Sequence, residues 1–94
     1  MGTPALTITS TGISGVAHLY EGTNKITVKI TGTADAEVLD NGVVKDLPED
    51  VSATVTLTTD VTFLMAGPGE LSFDVATLSG GGAKIEVYVE KSHG

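Results

Sequence analysis

The chain has 94 residues, a formal net charge of −7, five lysine or arginine residues (all lysine), and neither cysteine nor tryptophan. A length of this order suits a single domain with one modest core, and an apolar fraction of 40% with mean hydropathy +0.23 excludes a disordered chain. The acidic balance and the lack of arginine exclude a polybasic nucleic-acid or lipid-headgroup surface.

Taken in order, residues 1–4 form a loose start. Residues 5–10 alternate, with Leu6 and Ile8 on one side and Thr7 and Thr9 on the other, which predicts a first edge strand. Gly12 and Gly15 bracket a turn. Residues 16–20 (Val-Ala-His-Leu-Tyr) are apolar on both sides of His18, so their buried side is left open. After turn residues 21–24, residues 25–31 place Ile26, Val28 and Ile30 inward and Lys25, Thr27, Lys29 and Thr31 outward, and Gly32 ends the run. Residues 33–39 alternate again with small side chains.

Asn41-Gly42 predicts a two-residue type I′ turn, because both residues tolerate positive φ. It would set Asp40 opposite Val43, Leu39 opposite Val44 and Glu37 opposite Asp46. Pro48 breaks away from any ladder. Residues 51–58 alternate, with Val51, Ala53, Val55 and Leu57 inward. A bulge or shallow turn at Thr59 and Asp60 precedes Val61, Phe63 and Met65 on one side and Leu64 on the other. Gly67-Pro68-Gly69 predicts a type II turn. Leu71, Phe73 and Val75 share a face, Gly80-Gly81-Gly82 forms a flexible loop, and Ile85, Val87 and Val89 form the inner side of a last strand whose outer side carries Lys84, Glu86, Tyr88 and Glu90. Residues 91–94 form a frayed tail. The sum is one all-β domain over residues 1–94 with short frayed termini: a small antiparallel β-sandwich or jelly roll of seven to nine short strands, with no helix.

Catalytic and metal chemistry find little footing. The histidines are His18 and His93, too few for a zinc site without cysteine. A nucleophile–base–acid set would need His18 as base, and no motif singles out its serine or threonine. The acids and amide at 40–50 (Asp40, Asn41, Asp46, Glu49, Asp50) offer hard oxygen ligands for calcium without an EF-hand pattern. The triple glycine leads into a strand rather than a helix, so it makes no phosphate cradle. No catalytic residue, metal or cofactor is therefore expected, and neither nucleic acid nor membrane is an expected partner.

Without disulfides, stability must come from packing or from association. The apolar or aromatic outward positions make His18, Tyr20, Leu64 and Tyr88 the candidate interface residues of a homo-oligomer within a larger protein assembly. In its Gly/Thr/Val-rich, cysteine-free composition the chain resembles virion accessory proteins such as phage capsid decoration proteins. The resemblance implies a non-enzymatic structural component of a virion surface, acting through self-association and docking. A small carbohydrate- or ligand-binding β module is the alternative. The absence of a long apolar run and of a leader pattern gives the expectation of a soluble protein.

Overall fold

The computed structural model describes residues 2–43, 47–51 and 54–92. It corrects the expected architecture. Instead of a sandwich or jelly roll of many short strands, the described residues form one open antiparallel sheet of four strands, in the order β1-β4-β2-β3. Two strands are short, β1 at Leu6–Ile8 and β3 at Thr54–Leu57, and they lie at the edges. The other two are very long, β2 at Ser14–Asp40 and β4 at Val61–Lys91.

Strand length explains the shape. Drawn out straight, 27 residues of β2 would span roughly 90 Å at about 3.3 Å per residue, yet the longest dimension of the molecule is 37 Å. The long strands therefore bend over, and each meets the other more than once. Residues 14–19 pair with 69–74, and residues 36–40 pair with 71–75. Residues 22–28 pair with 61–67, and residues 24–31 pair with 84–91. The sheet thus has two limbs. The first limb carries residues 14–19, 69–75, 34–40 and β3; the second carries residues 22–31, 61–67, 84–91 and β1.

Periodicity misjudged these breaks because a glycine at positive φ can turn a strand without ending it. Gly32, at φ 83°, was expected to end a strand; it is a corner within β2. A β-carbon there would stand 2.4 Å from the Ser79 carbonyl oxygen, so only glycine permits this approach of β2 to β4. Two further expected breaks also lie inside β4: the type II turn at 67–69, where the Gly67–Pro68 peptide is cis, and the glycine loop at 80–82. The tail at 91–94 is corrected in part. Lys91 belongs to β4, and the Ser92 amide donates to the Thr23 carbonyl over 2.9 Å.

One core lies between the limbs. Ala17, Leu71, Phe73, Val75, Ala36 and Val38 come from the first; Ile26, Val28, Ile85, Val87 and Ile8 come from the second. Leu19, Ala34, Val51, Leu57 and Met65 complete the buried cluster among the described residues. The inward parity of β2 changes at its first corner. Ala17 and Leu19 point inward before it, Ile26 and Val28 after it, with a register shift between Leu19 and Gly22 that absorbs the odd residue. That settles the ambiguous 16–20 stretch in favour of Ala17 and Leu19.

The corner is tied by Asn24, which is fully buried. Its side-chain oxygen accepts from the Tyr20 amide at 2.8 Å, while its amide nitrogen donates to the carbonyls of Tyr20 at 2.9 Å, Gly22 at 3.2 Å and Met65 at 3.3 Å. The Asn41-Gly42 turn has the predicted form, with φ of 50° and 80° and reciprocal backbone bonds between Asp40 and Val43 at 2.8 and 2.9 Å. Val44 and Asp46, the other residues of that expected hairpin, lie outside the described residues.

Candidate functional site

Alternation gives each limb an outer surface, and the two surfaces differ chemically. On the first limb, Ser14, Val16 and His18 of β2 face Asp74, Ser72 and Glu70 of β4, and Glu37 and Leu39 follow on β4's other side. Ser14 Oγ donates to Asp74 Oδ1 over 3.0 Å, and His18 Nδ1 stands 3.5 Å from Glu70 Oε2. The amide of Glu70 donates to Asn41 Oδ1 over 2.8 Å. Asp35 accepts from Thr56 Oγ1 at the β3 edge. The acidic side chains here are Asp35, Glu37, Glu70 and Asp74, all exposed, and Glu37 lies directly opposite Asp74.

On the second limb, Lys25 lies between Leu64 and Glu90, Thr27 between Thr62 and Tyr88, and Lys29 beside Glu86. Lys84 Nζ reaches Glu86 Oε1 at 3.6 Å, and the Tyr88 hydroxyl donates to Glu86 Oε2 at 3.2 Å. Lost hydration, then the hydrogen bond to Glu86 and that carboxylate's charge, raise the Tyr88 phenol above its ordinary pKa. Lys91 Nζ sits 5.5 Å from the centre of the Tyr20 ring, a cation–π distance.

The four residues expected at an interface fall into two groups. His18 and Tyr20 project from the leg of β2 before the first corner, and Leu64 and Tyr88 flank the leg after it. His18 is strongly exposed, Tyr20 is 49% and Leu64 62% exposed, and Tyr88 is half-buried. Three other apolar side chains are exposed: Val16, within the 16–20 stretch that is apolar on both sides, and Ile13 and Val43, which sequence reasoning passed over. Val16 follows from the parity of Ala17, once that residue is known to face inward; Ile13 precedes β2 and does not. Val43 follows from its place just beyond the turn.

His18 does contact a carboxylate, but on an open sheet surface rather than in a cleft. Ser14, the nearest hydroxyl along its own strand face, is directed to Asp74 instead. The oxygen ligands that the sequence offers at 40–50 are spread among different surroundings where they are described. Asp40 is buried, the Asn41 oxygen is occupied by the Glu70 amide, and Asp46 lies outside the described residues, as does His93. Among the described residues no three His, Cys, Asp or Glu side chains form a group that could hold a metal ion. An open hollow lies beside the β3–β4 connection, lined by Asp50, Thr56, Leu57, Thr58, Thr59, Asp60 and Val61, and Asp60 Oδ1 there accepts from the Ile30 amide over 2.9 Å. No described helix is long and apolar enough to cross a membrane. No family model, curated protein or solved structure matches this chain.

Proposed function

We propose that this chain is a non-enzymatic structural module that works by self-association and by docking into a larger protein assembly, such as a virion surface. The observation that carries this reading is the apolar material left outside a complete core. Ile13, Val16, Tyr20, Val43 and Leu64 are each between 39% and 62% exposed in a chain of only 94 residues. Apolar side chains on an outer sheet face gain when a second protein surface removes them from water, at about 25 cal/mol per Å².

The carbohydrate-binding alternative draws less support. Sugar recognition commonly uses an exposed aromatic face, but the Tyr20 ring already holds Lys91 and the Tyr88 hydroxyl is engaged by Glu86. The hollow beside β3 has no aromatic lining. Sedimentation equilibrium over a concentration series tests the proposal: a mass rising above 9.6 kDa is expected, with Leu64→Glu and Val16→Glu shifting association to higher concentration. A wild-type protein that stays monomeric at millimolar concentration, alone and with a candidate assembly, would end it.

A further inference from the structure

The net charge of −7 is not spread evenly over the two outer surfaces. Among the described residues the first limb presents Asp35, Glu37, Glu70 and Asp74 outward and no lysine, with His18 Nδ1 3.5 Å from Glu70 Oε2. On the second limb the outward described lysines are Lys25, Lys29 and Lys84, whereas Lys91, of the opposite parity, stands over the Tyr20 ring at the first corner. Glu86 and Glu90 sit among them without outnumbering them, and Glu86 is already bound by Lys84 and Tyr88. Each surface also carries exposed apolar side chains within its charged residues, Val16 on the first and Leu64 on the second.

Resting on the self-association reading above, we infer that copies of this chain stack head to tail, the acidic outer surface of one copy against the lysine-bearing outer surface of the next. Opposite potentials steer such an encounter and set its orientation, while the apolar residues between the charges supply the burial. Joining two acidic surfaces would bring together eight carboxylates with no described lysine between them, which disfavours that symmetric pairing. Because the two surfaces turn away from a shared core, the contact is heterologous. Repeated, it closes into a ring or continues as a filament, according to the rotation between neighbours.

Two charge-reversed proteins test this: Glu70→Lys with Asp74→Lys on the first limb, and Lys25→Glu with Lys29→Glu on the second. Folding of each is checked by circular dichroism, with the neutral pairs E70Q/D74N and K25Q/K29Q standing in for either that does not fold. Sedimentation equilibrium should show each reversed protein associating at least about tenfold more weakly than wild type. Their equimolar mixture should recover association, since the reversed first limb of one then meets the reversed second limb of the other. Wild-type association should weaken between low and high salt, and the neutral pairs should flatten that dependence. If wild type associates but either altered pair leaves its affinity and salt dependence unchanged, or the reversed mixture stays monomeric, the assignment of surfaces is wrong while self-association stands. If wild type does not associate at all, self-association fails and this inference fails with it.

Discussion

Asn24→Asp changes one buried atom and tests the account of the first corner directly. The wild-type amide nitrogen donates toward three carbonyl oxygens, those of Tyr20, Gly22 and Met65. A carboxylate of the same shape keeps the acceptor for the Tyr20 amide but points its second oxygen at those three acceptors. Each lost hydrogen bond costs about 1 kcal/mol net. Burial without a donor also raises the folded-state pKa of the introduced carboxyl; a rise of about 3 units corresponds to about 4 kcal/mol at neutral pH. The sign follows from that rise. The ionic part of the penalty is absent below the unfolded value of about 3.9 and grows as pH climbs to the folded value. Urea unfolding of variant and wild type at a series of pH values from about 4 to 8 isolates the difference from the titration of the other carboxylates. The variant should be less stable by about 4 kcal/mol or more at pH 8, with the gap narrowing toward pH 4. A gap that is constant with pH, or absent, would refute the donor role assigned to Asn24.

Gly32→Ala should destabilise by about 3 kcal/mol or more, because it adds a left-handed penalty of about 1–2 kcal/mol to a β-carbon placed 2.4 Å from the Ser79 oxygen. A thermal melt should then fall by at least about 10 °C, whereas Gly81→Ala, with open space around its β-carbon, should change far less. Tyr88 has a raised folded-state pKa, so its contribution is full below about pH 10 and is lost as pH rises from there through the folded value. Tyr88→Phe should make the alkaline decline in stability shallower in denaturation measured from pH 8 to 11. Glu37→Lys replaces a like-charge neighbour of Asp74 with an opposite one and should raise stability by about 0.2–1 kcal/mol in the same urea assay.

Inward and outward positions were legible wherever a stretch keeps period two over several residues. Ile26 and Val28, Leu71, Phe73 and Val75, and Ile85 and Val87 are all buried as the alternation requires. The Asn41-Gly42 turn was legible because two adjacent residues suited to positive φ admit few other conformations. Strand number was not. Gly22, Gly32 and residues 80–82 carry the same local signal whether a strand stops or bends, and only the distant partner distinguishes the two. Asn24 was hidden for a related reason. In sequence it belongs to a polar turn, and nothing local reports that Met65, 41 positions away, supplies one of its acceptors. The candidate surface residues were found singly, as outward apolar or aromatic positions. Their division between two limbs, and the placing of Lys25, Lys29 and Lys84 away from Asp35, Glu37, Glu70 and Asp74, emerged once the register of β2 against β4 assigned each to a side.

The doubled pairing of β2 and β4 also bears on how the chain acquires its structure. Ser14 meets Asp74 and Leu6 meets Val87, so most of the ladder joins residues far apart along the backbone. Such contacts must overcome loop-closure entropy before they return any stabilisation, which places folding in the slow, millisecond-to-second regime of high contact order. Because each long strand supplies the neighbours of the other on both limbs, neither half of the molecule retains a complete ladder alone. Loss of either long strand therefore dismantles both limbs at once, and unfolding proceeds as a single cooperative event.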